Sequence, residues 1–107
     1  MEPVDQVTAR RQELVELAHL MLDGQFNLIE GVRRICALRL ATGDPDNEVF
    51  FPIRAVESET DAFPLGEMRA ACSPDYLKRS DAEMQRYLDE SRSDILKACR
   101  EILRAFS

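Results

Sequence analysis

Residues 80–106 read Ser-Asp-Ala-Glu-Met-Gln-Arg-Tyr-Leu-Asp-Glu-Ser-Arg-Ser-Asp-Ile-Leu-Lys-Ala-Cys-Arg-Glu-Ile-Leu-Arg-Ala-Phe. Met84, Leu88, Ser91, Ile95, Ala98, Ile102 and Ala105 recur in alternating steps of four and three, and Tyr87, Cys99, Leu103 and Phe106 widen the stripe. That period predicts one long amphipathic helix over about 80–105, with its seam facing a bundle. Ser80 and Glu83 have the S-x-x-E spacing of a capping box and are read as its start. At 1.5 Å per residue the seam runs roughly 37 Å. That is longer than one small partner helix needs. Its far end is therefore a candidate contact for a second copy, unless the other helices cover it all.

Working back along the chain, the same period gives two more helices. Over about 4–23, Val7, Leu14, Leu17, Ala18 and Met21 share a face, and Gly24 is a natural stop. Over about 27–41, Asn27 stands three residues before Glu30 as a cap, and Leu28, Ile29, Val32, Ile35, Cys36, Leu38 and Leu40 follow. Gly31 inside this helix costs about 1 kcal/mol of propensity relative to Ala, so it is read as a place where another backbone comes close. Between helices two and three lies a turn cluster, Thr42 to Asn47, and then Val49, Phe51, Ile53 and Ala55 alternate. Pro52 interrupts that alternation, so the segment is expected as an edge strand at most, or an extended run laid across the helices. Ser73-Pro74-Asp75 has the form of a short separate helix start.

The expected fold is therefore all-α. Three main helices form a bundle, an extended acidic connection (residues 44–67) packs across it, and residues 1–107 make a single domain. The chain is large enough for one core without staples. Apolar residues make up 45%, a share that argues against disorder. The core must be aliphatic, because Trp is absent.

Charge is unevenly placed. Residues 44–67 hold Asp44, Asp46, Glu48, Glu57, Glu59, Asp61 and Glu67 against Arg54 alone, a net −6 that equals the charge of the whole chain. With a pI near 4.8, nucleic acid and anionic lipid are unsuitable partners. No run of about 18 apolar residues is present to span a bilayer. The N-terminus, Met1-Glu2-Pro3, lacks a basic region followed by an apolar run, so no signal peptide is expected. Cys36, Cys72 and Cys99 are odd in number and lack C-x-x-C spacing, which fits reduced thiols in a cytoplasm.

The chemical motifs are weak. Glu16 and His19 form an E-x-x-H pair, and with Glu30 they are the candidate metal ligands. A symmetric dimer would double them to the set used by di-metal carboxylate bundles. The plainer reading is a polar face of Gln12, Glu16, His19 and Asp23. No nucleophile context surrounds any Ser or Cys. Asp44 to Glu48 lacks the Gly and Glu of a calcium loop. No cofactor motif occurs. Glu57, Glu59, Asp61 and Glu67 are the candidate partner contacts, with Asp44, Asp46 and Glu48 as rim. Arg33, Arg39 and Arg54 are candidate structural ion-pair cations: Arg33 for Glu30, and Arg39 or Arg54 for the Ser58–Asp61 acids. Ser58 and Thr60 are the candidate caps of local backbone N–H groups.

Ser58-Glu59-Thr60-Asp61 followed by Phe63-Pro64-Leu65-Gly66, the run Leu28-Ile29-Glu30-Gly31-Val32-Arg33-Arg34, and Asp81-Ala82-Glu83 together resemble a small, functionally uncharacterised bacterial helical domain family. The resemblance covers about residues 20–103. It implies a small bacterial helical domain and transfers no catalytic residue. Cys72 stands where that family's pattern has tryptophan. Taken together, these features lead to the expectation of a non-enzymatic protein-interaction domain of a bacterial cytoplasm. Its most concrete form is immunity-like, an acidic surface masking a basic protein. A dimeric metal-binding bundle and a homodimeric regulatory module joined through the last helix are the alternatives.

Overall fold

The computed structural model describes residues 5–107. Helix α1 spans Gln6–Leu22, α2 Leu28–Arg39, α3 Phe51–Thr60 and α4 Pro74–Phe106. Short 3-10 turns at Glu48–Phe50 and Gly66–Ala71 precede α3 and α4. No strand occurs among the described residues, and the fold is all-α. The expected start of α1 at Val4 lies outside the described residues.

The stops and starts follow from local chemistry. Asp5 caps α1 by accepting from Val7 N–H at 3.1 Å. At its other end Gly24 takes φ +73°. Gly24 N–H then reaches the Met21 carbonyl (3.2 Å) and Gln25 N–H the Leu20 carbonyl (2.9 Å), a Schellman closure that satisfies two free carbonyls. Asn27 caps α2 by accepting from Glu30 N–H at 3.0 Å.

Two expectations are corrected. The connection is not extended throughout: residues 51–60 are helical. Pro52 falls in the first turn of α3, where its missing N–H has no partner to lose. Asn47, accepting from Val49 N–H at 3.0 Å, starts the preceding 3-10 turn. Phe50, Ile53, Val56 and Thr60 are the buried positions, a helical spacing. Phe51 and Ala55 of the alternating set are exposed. The last helix also begins earlier than Ser80. Ser73 caps it, accepting from Tyr76 N–H at 3.1 Å with Pro74 in the first turn, and no Gly or Pro follows to break it. Ser80 is a buried position inside α4. At 33 residues α4 is about 50 Å long, nearly the full 53 Å of the molecule.

The helices pack as a ring in chain order: α1 on α2, α2 on α3, α3 on α4 and α4 back on α1, with α2 also touching α4. The core fills the ring with Leu14, Leu17, Ala18 and Met21, then Ile29, Val32 and Ile35, then Phe50, Ile53 and Val56, then Ile95, Ala98, Cys99 and Ile102. A fully buried Leu, Ile or Val contributes about 1.5–3 kcal/mol relative to exposure, so this set dominates stability. Gly31 does lie at a close approach, but a side chain makes it. The Met21 thioether sits where a Cβ would be. Arg11 locks the far end: its Nε donates to the Thr42 carbonyl at 2.7 Å, and its guanidinium stands 5.4 Å from the centre of the Phe106 ring.

Candidate functional site

Helix α3 forms one wall of a surface trough and α4 the other. The trough has a volume of about 670 Å³. Val49, Phe51, Pro52, Ala55, Val56 and Ala98 supply its apolar lining. Glu48 and Glu59 stand on the α3 side, Asp94 and Glu101 on the α4 side, and Lys97 is the one cation among the lining residues. Phe51 is 56% exposed, an unusual state for the largest apolar side chain of the wall. One end is tied across by Tyr87, whose hydroxyl donates to Glu59 Oε2 at 2.5 Å. Burial first, and this contact with a carboxylate second, push the Tyr87 phenol above its ordinary range.

A second hollow adjoins the trough, sharing Phe51 and Ala55 with it, and is completed by Arg39, Arg54 and Glu57. Glu57 there faces inward as well. Burial, helped by Glu57 as hydrogen-bond partner and by its negative charge, pushes the Cys36 thiol to about 12. Burial pushes Cys99 to about 11. Neither thiol is poised as a nucleophile, since the thiolate is the reactive form.

The sequence-derived contact residues fall in different places. Asp44, Asp46, Glu48, Glu59, Asp61 and Glu67 are exposed, and Glu57 is half-buried. Only Glu48 and Glu59 of these reach the trough, where Asp94 and Glu101, outside the acidic 44–67 segment, line the other bank. Their meeting depends on α3 and α4 lying side by side, and no local pattern announces it.

The structural cations act differently from expectation. Arg33 pairs with no carboxylate among the described residues. Its Nη2 donates to the carbonyls of Thr60 and Phe63, each at 2.8 Å, and so closes the C-terminal end of α3. Arg39 Nη1 donates to the Pro45 carbonyl at 2.7 Å, with Asp46 at 4.0 Å. Arg54 is exposed on α3, with no carboxylate within 4 Å among the described residues. Ser58 and Thr60 do not cap N–H groups. Both lie inside the helix, where the N–H groups are already taken by carbonyls one turn back. The Thr60 hydroxyl therefore donates to the Val56 carbonyl at 2.7 Å. The strongest ion pair lies elsewhere. Arg69 grips Asp81 with two parallel bonds of 2.8 Å, holding the Gly66–Ala71 turn onto α4.

The metal candidates are dispersed. Glu16, His19 and Glu30 are all exposed. Among the described residues no group of three or more His, Cys, Asp or Glu side chains is placed to hold a metal ion. A shared site would have to be completed by a second copy. The seam of α4 expected to meet such a copy is largely covered within one chain, with Leu88, Ile95, Ala98, Cys99 and Ile102 buried. No described helix is long and apolar enough to cross a membrane. No protein-family model, curated protein or solved structure matches this chain.

Proposed function

We propose that this chain is a non-enzymatic protein-interaction domain of a bacterial cytoplasm, immunity-like in that it offers an acidic surface to a basic partner protein. The observation that carries this reading is the acidic end of α3. Glu57 and Glu59 lie in its last turn and Asp61 is its C-cap, with no basic residue in that turn. The negative end of a helix dipole disfavours carboxylates by about 0.3–1 kcal/mol each. Three acids there break a local stability rule, and such breaks concentrate at functional positions. Arg33 offsets part of the cost through the carbonyls it binds, and Glu59 and Asp61 remain exposed.

Glu59, Asp61 and Glu67 are the principal contacts in this reading. Glu57 contributes less, because it is half-buried toward Cys36 and the two arginines of the second hollow. A net charge of −6 would accelerate encounter with a cationic surface and make it sensitive to salt. The test compares the wild-type chain with the triple variant Glu57→Lys, Glu59→Lys, Asp61→Lys as baits in lysate at low and high salt, with circular dichroism checking the fold. A basic protein retained by the wild type at low salt, and lost by the variant, is expected. Equal recovery by a folded variant ends the proposal.

A further inference from the structure

The trough between α3 and α4 is not explained by an acidic surface alone. Charge needs no apolar floor, and exposing Phe51 and Ala55 brings no folding benefit. The combination of an apolar strip with carboxylates on both banks is complementary to one kind of object: a rod with an apolar stripe and cations along both edges. We infer that the trough receives an amphipathic helix of the basic partner protein, its apolar stripe on the exposed Phe51, Pro52 and Ala55 and its Lys or Arg residues against Glu48 and Glu59 on one side and Asp94 and Glu101 on the other.

The dimensions agree. From Tyr87 to Glu101 the α4 bank runs about 21 Å, or roughly four helical turns. Asp94 and Glu101 are seven residues apart in sequence, so they repeat on one face about 10.5 Å apart, the two-turn spacing of flanking positions on a bound helix. The banks are themselves helical, so an added helix continues the ring as a further neighbour of α3 and α4, by the packing that already joins α4 to α1. Other recognition modes fit less well. There is no sheet edge among the described residues for a strand to extend. Proline-rich peptides prefer aromatic-paved grooves, and here Tyr87 is already engaged by Glu59. Four acids against one lysine leave the rim at −3 and repel an anionic membrane.

This inference rests on the acidic-surface reading, and its test separates the two. The probe is a fluorescein-labelled synthetic peptide of about 15 residues, with Leu at i, i+3, i+4 and i+7 spacing flanked by Lys and Arg. A scrambled peptide of equal composition is the control. Binding is read by anisotropy and mapped by amide NMR shifts. The amphipathic peptide should bind at least about tenfold more tightly than the scramble, shifting residues 48–59 and 87–101. Ala55→Trp fills the trough without adding charge and should cut binding about tenfold or more, with helicity unchanged. Lys97→Glu, which takes the rim from −3 to −5, should tighten binding several-fold at low salt. Suppose instead that both peptides bind equally, ignore Ala55→Trp and are lost only in the Glu57, Glu59, Asp61 charge reversal. The helix-in-trough inference is then overturned while the acidic surface stands. No binding of either peptide at low salt overturns the inference and counts against the broader reading. A dimer in sedimentation that Ala55→Trp dissociates assigns the trough to a second copy and overturns it too.

Discussion

Gly31→Ala in α2 sets two opposed effects of known size against each other. A helix-interior Gly→Ala exchange is worth about 1 kcal/mol of stability from propensity alone. Against it, a Cβ at position 31 would lie 2.5 Å from Met21 Sδ, 2.7 Å from Cε and 3.0 Å from Cγ. A long thioether could often swing aside at little cost. Met21, however, is 1% exposed, and its sulfur has Cys99 Sγ 4.0 Å away, itself fully buried. Overpacking of this kind costs about 1–3 kcal/mol. Packing therefore wins, and Gly31→Ala should destabilise by about 1 kcal/mol. Met21→Ala alone should cost about 2–5 kcal/mol through the cavity it leaves. In the double variant the new methyl occupies part of that cavity, so the cost falls below the sum by about 1–2 kcal/mol. Urea unfolding followed by circular dichroism at 222 nm measures all three, which suits a chain without Trp. If Gly31→Ala raised stability by about 1 kcal/mol and the cycle were additive within about 0.5 kcal/mol, the wedging of Met21 against α2 would be refuted.

Arg33→Met removes two charge-assisted bonds to the carbonyls that end α3. It should cost about 2–4 kcal/mol and speed amide exchange across residues 51–60, and a loss under about 0.5 kcal/mol would show that α3 does not depend on it. The Arg69–Asp81 pair holds the Asp81 carboxyl below its usual range, chiefly by hydrogen bonding to the guanidinium. A folded-state pKa below the unfolded one gives stability that is full above the ordinary carboxylate range and lost as pH falls through the folded value. Protection factors at residues 66–72, each referred to the intrinsic exchange rate at its pH, should therefore fall on acidification in the wild type, and already be lowered at neutral pH in Asp81→Asn. With Cys36 raised to about 12 and Cys99 to about 11 by burial, and Cys72 half-exposed, a disulfide reagent at pH 8 should modify one thiol rapidly. Cys72→Ser should abolish that fast phase. Three rapid equivalents in the folded protein would contradict the packing of α2 and α4.

The sequence by itself determined the all-α class, three of the four helices, the caps at Asn27 and Gly24, and most of the core. Each of these depends on residues within a turn or two of one another, and a 3.6-residue period over a dozen positions has no competing explanation. Helix α3 was harder to read because its window is short. Val49, Phe51, Ile53 and Ala55 alternate as a strand would, while Phe50, Ile53, Val56 and Thr60 step as a helix does, and only packing against α2 and α4 chooses between them. The start of α4 is hidden in the sequence for a related reason: the spacing Ser80-x-x-Glu83 marks a helix end only where the preceding backbone is not already helical, and here α4 begins at Pro74. What only the tertiary structure decided is which distant groups meet. Arg33 finds carbonyls 27 and 30 residues ahead, and Glu48 and Glu59 face Asp94 and Glu101 across a trough. Those meetings are set by how whole helices lie against one another, and the free energy that sets it is spread over the entire core.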